Sequence, residues 1–424
     1  MTRAAAALNH SDNSHRTHDA ALPLLLGLLS TIGAFSIDAF FPSLRAIAQE
    51  FHITAWQAQQ TLTAYMLPYA VISLLHGSLS DALGRRRPIL VALALYAAAS
   101  LGCAAAPNFG ALLLFRALQG LVAGAGQIIG RAIVRDHYHG PEAQRLMSLI
   151  TLIFGLGPAA APIIGGWVHA LLGWRAVFGT MAVLGLSMLI FTARRLPETH
   201  PPEHRTPLHL GRLAQHSRAV ISNVEFLLLA SGSALSFASL QVYLGAAPAI
   251  VLDHWHLDET KFAALNLPII GGYMIGAVLS GRLAGRIPPQ RQATIGFRLL
   301  LVMNAAMLVL QWAVPGLPIS VQQLLLAGTG FGLQLMFPII TLRVLDLFPN
   351  TRGAAASMQS FLALITGAAV MGFCAPLLAG SMRHIATVAL GFACAGSLLW
   401  WLAQRYRVAH RPQPQAPREA TCRH

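Results

Sequence analysis

Charged residues are scarce in this sequence, and several signatures of soluble proteins are missing. Only 10% of the 424 residues are charged, less than half of the ~25% usual in soluble domains. The four cysteines show no CxxC spacing, so neither a disulfide framework nor a zinc site is indicated. The absence of a P-loop argues against ATP as an energy source. The chain is instead 55% apolar with a mean hydropathy of +0.59, which indicates a polytopic membrane protein.

Other absences narrow the function. Histidines of the N-terminal tail and central linker, such as His10 and His204, have no metal-ligand periodicity, so no metal or other cofactor is expected. No intramembrane His/Glu cluster or Ser/His/Asp set favours an enzyme, and no long soluble domain favours a membrane sensor. The net charge of +14 lies in short links between apolar runs and does not form a basic face with aromatics. No nucleic-acid partner is therefore expected.

Twelve apolar runs are each about long enough to cross a bilayer as a helix at ~1.5 Å per residue. They cover approximately residues 20–43, 56–77, 89–107, 110–131, 147–172, 174–194, 223–247, 262–284, 293–314, 317–342, 354–380 and 383–404. The sequence therefore predicts an all-α integral membrane protein with twelve transmembrane helices, embedded in a lipid bilayer.

One long interruption divides these runs. Residues 195–222 are rich in Pro, His and Arg, and are interpreted as a cytoplasmic linker. The linker separates an N-terminal six-helix bundle at 20–194 from a C-terminal six-helix bundle at 223–404, with polar tails at 1–19 and 405–424. Because the first tail carries no apolar h-region, we expect no cleavable signal peptide, and the first span itself to target the chain.

The two halves match each other at similar spacings. Three pairs of positions recur with offsets of 204, 210 and 214 residues: Gly77 with Gly281, Asp136 with Asp346, and Pro162 with Pro376. A duplicated six-span unit is typical of transporters whose binding site lies between the halves. The sequence therefore predicts two pseudo-symmetric bundles around a central site.

The basic residues are strongly biased to one side of the predicted membrane. With the N-terminus inside, 24 of the 29 Lys and Arg residues fall in cytoplasmic segments, four in outside links and one, Arg116, inside a span. The positive-inside rule then places both termini in the cytoplasm of a multi-pass protein of the cell inner (plasma) membrane. Nothing in the sequence argues against a monomer.

Asp38 is the carboxylate that lies well inside a predicted span. An ionisable group costs at least ~2.5 kcal/mol there, so it normally faces a polar cavity and has a partner. Arg116 of span 4 is predicted at the same depth, roughly 8–9 Å below the outer boundary at ~1.5 Å per residue. We expect Asp38 and Arg116 to pair and to couple protons to transport; a purely structural charge pair is the alternative.

The link after the second span carries a dense group of glycines and charges. Gly77-Ser-Leu-Ser-Asp81-Ala-Leu-Gly84-Arg85-Arg86 predicts a hairpin at the cytoplasmic membrane surface. The carboxylate of Asp81 could bind the positive N-terminal end of span 11 and latch the cytoplasmic side closed. Arg135 and Asp136 are expected to form a surface pair of little energetic consequence.

These stretches carry a specific resemblance. The sequence from Gly77 to Arg86 resembles the loop 2–3 signature of the major facilitator superfamily, and Arg116-Ala-Leu-Gln119-Gly120 resembles its span 4 motif. Ser36-Ile-Asp38-Ala-Phe-Phe-Pro42 in span 1 resembles the drug/proton antiporter group, and within it the bicyclomycin-resistance (Bcr/CflA) branch fits best. The resemblance implies the major facilitator fold and a role of the span 4 arginine in proton coupling. Ala82 departs from the pattern, which often has a basic residue after the loop aspartate.

Span 5 carries the motif that the resemblance associates with exporters. Its residues are Gly157, Pro158, Pro162, Gly165 and Gly166. The prolines favour a kink and the small residues allow a neighbouring helix to approach closely, which suits a seam between moving halves. Simple packing is the alternative, because Gly and Pro are frequent in membrane helices.

A drug cavity would be mostly apolar with a few polar groups. Candidate lining residues are Tyr65, Gln119, Gln241, Tyr243, Gln334 and Gln359. Helix packing explains each of them equally well.

The sequence and the resemblance together predict a secondary transporter that exports small amphipathic drugs, of the bicyclomycin or chloramphenicol kind, by proton antiport. Its partners would be a small-molecule substrate and protons. An exporter or importer of endogenous metabolites on the same scaffold stays open as an alternative, and a non-transporting membrane sensor is a further one.

Overall fold

A computed structural model of the chain describes residues 21–137, 140–205, 210–348 and 351–409, and the regular structure in these ranges is helical throughout. Twelve of the described helices are long and apolar enough to cross a membrane, which confirms the predicted number. In order, spans 1 to 12 are Leu22–Glu50, Ala55–Leu83, Arg86–Ala104, Phe109–Val134, Ile153–Leu172, Trp174–Arg195, Val224–Gly245, Ala263–Leu283, Pro289–Ala313, Ile319–Leu347, Gly353–Leu378 and Met382–Ala409.

Several spans are interrupted or extended. Span 1 consists of the helices Ala21–Asp38 and Leu44–Glu50, joined by the 3-10 turn Phe41–Ser43. Span 4 consists of Phe109–Ala123 and Ala125–His137, span 5 belongs to the helix Gly140–Leu172, and span 11 consists of Arg352–Ala369, a π turn at Val370–Cys374 and Ala375–Leu378. A second π turn, Ala249–His254, and the 3-10 turn Glu259–Lys261 lie between spans 7 and 8. The linker contains the 3-10 turn Pro202–His204 and the helix Leu210–Ile221.

The spans form two six-helix bundles that pack in the same pattern. In the N-terminal half span 1 packs on span 5, span 2 on span 4, and span 3 on span 6. In the C-terminal half span 7 packs on span 11, span 8 on span 10, and span 9 on span 12. Because successive spans alternate in direction, residues 196–223 lie at one end of the bundles, called here the linker end. The link 51–54 lies at the opposite end, called here the far end.

Close packing of span 5 on span 1 fixes the middle of the N-terminal half. A Cβ atom at Gly165 would lie 2.0 Å from the backbone oxygen of Ala39, so a larger residue cannot fit without moving one of the two backbones. Gly157 approaches Thr31 in the same way, one helical stretch closer to the linker end. The two glycines therefore hold span 5 directly against the segment of span 1 that carries Asp38.

We predict that Gly165→Ala destabilises the protein by about 1–3 kcal/mol, because overpacking a close helix contact forces backbone shifts. Gly391→Ala is the matched control, since a Cβ atom at Gly391 in span 12 meets nothing within 4 Å. Thermal unfolding of the detergent-purified variants measures the difference. Equal melting temperatures for the two variants would show that the contact between spans 1 and 5 can relax.

Candidate functional site

Asp38 lies where the first helix of span 1 ends. Pro42 follows four residues later, and a proline at this spacing cannot donate to the carbonyl of Asp38 and collides with it. The helix therefore stops at Asp38 and the chain continues in a turn at Phe41–Ser43. Asp38 is half-buried, and its carboxylate forms no hydrogen bond or ion pair with any described residue.

Arg116 is completely buried in the N-terminal half. Its guanidinium donates from Nη1 to the carbonyl of Ser36 at 3.3 Å and to Oε1 of Gln119 at 3.0 Å, and from Nε to the carbonyl of Thr61 at 3.3 Å. Its carbon centre also lies 4.4 Å from the ring centroid of Tyr65. Carbonyl dipoles and aromatic faces thus stabilise this buried charge without a carboxylate.

The predicted ion pair between Asp38 and Arg116 is not formed in this structure. The guanidinium is engaged by the carbonyl of Ser36, two residues before Asp38, while the carboxylate of Asp38 has no cation beside it among the described residues. Depth along two helices can be counted from the sequence, but it does not fix which helix faces meet. The pair remains a proposal for another conformation of the protein.

Two predicted cavity residues are instead parts of a buried polar network around Arg116. Gln119 donates to Oγ of Ser100 at 2.7 Å, and Tyr65 donates to the carbonyl of Gly33 at 2.9 Å. Both side chains are 0% exposed. Their hydrogen bonds explain them as helix-packing residues in this conformation, the alternative that the sequence left open.

The four candidates of the C-terminal half differ in their surroundings. Oε1 of Gln241 and the hydroxyl of Tyr243 are buried with no hydrogen-bond partner among the described residues. Gln359 donates to Oγ1 of Thr341 at 3.3 Å, and Gln334 packs beside Gly276 of span 8. Only the first two therefore present unsatisfied polar atoms.

The span 5 motif lies along the contact with span 1. Gly157, Gly165 and Gly166 are buried, and Pro158 and Pro162 lie inside the helix Gly140–Leu172. Its contact with Ala39 places the motif next to Asp38.

Arg85 organises the link between spans 2 and 3. Its guanidinium donates to Asp81 at 2.5 Å, to Oγ of Ser80 at 2.7 Å and to Asp136 at 2.9 Å. Although burial alone lowers the pKa of Arg85, the carboxylates of Asp136 and Asp81 hold its pKa above the ordinary value. Asp136 therefore joins span 4 to this link; the side chain of Arg135, the partner predicted for it, lies outside the described residues.

Glu198 of the linker is a residue of this cluster that the sequence reasoning missed. Its carboxylate accepts the backbone N–H groups of Arg85 at 2.8 Å, His200 at 3.0 Å and Arg86 at 3.3 Å. Gly84, with φ of 88°, permits this approach, since a Cβ atom there would lie 2.5 Å from Oε2 of Glu198. A carboxylate at the start of span 3 also complements the helix dipole. The signal in the sequence was the acidic residue directly after Pro197.

The remaining residues of the loop motif face open space. Gly77 has nothing within 4 Å of a built Cβ atom, and the same holds for Gly353 at the start of span 11. The guanidinium of Arg86 donates to the carbonyl of Ala193 at 2.8 Å. Asp81 pairs within its own half and its side chain is 44% exposed, so the predicted latch to span 11 is not formed in this structure.

The two halves are joined at the far end. Arg45 pairs with Asp253 at 2.5 Å, Gln59 donates to the carbonyl of Gly245 at 2.6 Å, and Gln60 donates to the carbonyl of Gly372 at 2.8 Å. These groups are called here the far-end seal. Among the described residues no hydrogen bond or ion pair joins the halves at the linker end. The structure is therefore closed at the far end.

Comparison with known proteins adds independent information. Residues 24–370 match the family model of the Major Facilitator Superfamily. Multidrug resistance protein D of Escherichia coli is 27% identical over 94% of this chain and 99% of its own length. The uncharacterized MFS-type transporter YdgK of Bacillus subtilis is 31% identical over 68% of this chain and 73% of its own. The bicyclomycin resistance protein homolog of Haemophilus influenzae is 28% identical over 62% and 66%.

Solved structures show the same fold. A bacterial homologue of the human lysosomal transporter Spinster, in an inward-facing and unoccupied conformation, superposes with a TM-score of 0.70 at 17% identity over 93% of this chain and 98% of that one. A D-xylose–proton symporter superposes with a TM-score of 0.69 at 12% identity over 91% and 97%. At these identities the likeness concerns the fold alone.

We predict that Glu198→Gln loosens the start of span 3, because an amide binds backbone N–H groups more weakly than a carboxylate. Hydrogen exchange of residues 84–90, followed by mass spectrometry at pH 7, should be severalfold faster than in wild type. Glu203→Gln, which changes an exposed carboxylate of the same linker, should leave that exchange unaltered. Unchanged exchange in Glu198→Gln would contradict the role of this carboxylate.

The same contact has a defined pH dependence. Partial burial alone would raise the pKa of Glu198, but the N–H groups of Arg85, His200 and Arg86 lower it below its ordinary value of 4.5. The contribution of Glu198 to stability is therefore fully present above the unfolded pKa and is lost as pH falls through the lower, folded pKa. The difference in melting temperature between wild type and Glu198→Gln should accordingly shrink below pH 4.5.

Proposed function

Because the chain belongs to the Major Facilitator Superfamily, and so to a family of transporters and not of enzymes, we propose that it exports small amphipathic compounds in exchange for protons. The compounds would be of the kind after which its relatives are named, bicyclomycin and chloramphenicol. The exporter would act as a monomer in the inner membrane, with the linker end and both termini in the cytoplasm. Its orientation rests on the distribution of basic residues.

Asp38 is the observation that carries this proposal. A half-buried carboxylate in the middle of a span, with no cation beside it among the described residues, is costly in its charged form and takes up a proton readily. The break at Pro42 gives it access to the space between the halves. Proton uptake and release at Asp38 can therefore alter how the two halves interact.

The far-end seal identifies the stage of the cycle. With the linker end in the cytoplasm, a protein closed at its far end is open inward, and this is the stage at which a cytoplasmic compound can enter. Asp38 unpaired, and Asp81 held by Arg85 in its own half, fit this stage. In the outward-open stage we place a pair between Asp38 and Arg116, and the contact of Asp81 with span 11.

We predict that Asp38→Asn abolishes uphill export while the protein remains folded, because an amide cannot release a proton. Efflux of bicyclomycin and chloramphenicol from cells, at matched membrane levels and with or without a protonophore, measures this. Asp258→Asn, which changes an exposed carboxylate of a far-end loop, is the matched control and should export normally.

The outcomes separate the alternatives. Uphill export that persists in Asp38→Asn would contradict the coupling role of this residue. A wild-type protein that moves neither compound would indicate a carrier of endogenous metabolites on the same fold. A screen of metabolites in both directions would then identify the substrate.

We predict that charge reversal at the far-end seal shifts the protein toward the outward-open form. Arg45→Asp places a carboxylate beside Asp253 where an ion pair stood; both side chains are about half exposed, so the effect is about 1 kcal/mol, roughly fivefold in population. Labelling of Thr63→Cys, which lies against Gly372 in the sealed form, by a membrane-impermeant maleimide measures the opening.

The double reversal Arg45→Asp with Asp253→Arg should restore the slow labelling. Arg175→Asp is the matched control, because Arg175 pairs with Glu50 within the N-terminal half at the same end. Equal labelling in Arg45→Asp and Arg175→Asp would show that the pair across the halves does not hold the far end closed.

A further inference from the structure

Aromatic rings of the C-terminal half form a stacked group close to Asp38. Tyr273 of span 8 lies nearly parallel to Phe237 of span 7, with ring centroids 6.1 Å apart and an interplanar angle of 10°. Phe237 contacts Phe337 of span 10 at 6.3 Å. Tyr273 also lies within electrostatic range of Asp38. A carboxylate of one half and an aromatic wall of the other therefore meet at the boundary between the halves.

Unsatisfied polar atoms surround this wall. The hydroxyl of Tyr273 is buried without a hydrogen-bond partner among the described residues, and so is Oδ1 of Asn266, seven residues earlier on the same side of span 8. Asn266 is only 6% exposed. Oε1 of Gln241 in span 7 is a third such atom. Buried polar atoms without partners are costly, so three of them in neighbouring spans point to a ligand that binds there.

The charge of this region is negative when Asp38 is ionised. Arg116 does not offset it directly, because its guanidinium is fully buried and all of its polar and aromatic contacts lie in the N-terminal half. An aromatic face beside an anion attracts a cation, since the ring quadrupole and the carboxylate act in the same sense. A flat ring can in addition stack on Tyr273.

We propose that Tyr273, supported by Phe237, is a substrate-contacting residue that forms with Asp38 a site for planar aromatic cations. This rests on the proposed export function and extends it, since it specifies a charged class of substrate where chloramphenicol, after which some relatives are named, is neutral. Asn266 and Gln241 supply hydrogen bonds to polar groups of the bound compound. One cation is held between the two halves and displaces the proton from Asp38.

Binding of two probes to the purified full chain tests this site. Ethidium is the planar aromatic cation and chloramphenicol the neutral compound, each titrated in detergent at neutral pH. Tyr273→Leu should raise the Kd of ethidium about tenfold and that of chloramphenicol less than threefold. Tyr273→Phe keeps the ring and should change both by less than threefold.

Phe297→Leu is the matched control for loss of a stacked ring. Phe297 stacks on Trp400 in the same half, with centroids 5.3 Å apart and an interplanar angle of 17°, and its removal should leave both affinities as in wild type. Size-exclusion chromatography checks that each variant is folded. If Tyr273→Leu is not, Phe237→Leu removes the supporting ring and should weaken ethidium binding severalfold.

Each other outcome has a definite meaning. Wild-type affinity for ethidium in Tyr273→Leu overturns the role of Tyr273, and equal losses for both probes overturn the preference for cations. A wild-type chain that binds and exports chloramphenicol but does not bind ethidium overturns the site while the export function stands. A chain that binds and moves neither overturns both.

Discussion

The break of span 1 at Asp38 is the feature on which the rest of the site depends. Inside a bilayer every backbone polar group must find a partner within the protein, and irregular backbone survives only where protein or a water-filled cavity surrounds it. Pro42 ends the helix at Asp38, and span 5 then covers the broken segment by packing Gly165 on the backbone of Ala39. The guanidinium of Arg116 donates to the carbonyl of Ser36 just before the break. Three spans thus hold Asp38 in place.

The two halves divide the chemistry unequally. The N-terminal half carries the buried charges, Asp38 and Arg116, and the link with Arg85 and its carboxylates. The described part of the C-terminal half contributes neutral groups near the boundary, among them Tyr273, Asn266 and Gln241. A duplicated fold therefore supports one proton-binding half and one half that contacts the compound through aromatic and amide groups, although the helix packing of the halves is the same.

Much of the fold could be predicted from the sequence because hydropathy and helix length are local properties. Twelve spans, two bundles and the family followed from apolar runs and from motifs such as Gly77 to Arg86. The contacts of the site could not be predicted in the same way. The partner of Asp136 is Arg85, 51 residues away, and Glu198 binds the start of span 3 from the linker. Such pairs depend on which helix faces meet, and a count of residues along each span does not contain that information.

The separation of Asp38 from Arg116 also bears on how a transporter of this kind can couple two movements. A ligand shifts a conformational equilibrium only by the difference in its affinity for the two states. The guanidinium contacts of Arg116 all lie in the N-terminal half, so a rigid rocking of the halves leaves them unchanged. Asp38 lies beside Tyr273 of the other half, and its surroundings must change when the halves move. The variable term in the cycle is therefore the occupancy of Asp38 by a proton or a compound, while Arg116 supplies a constant positive field that tunes it.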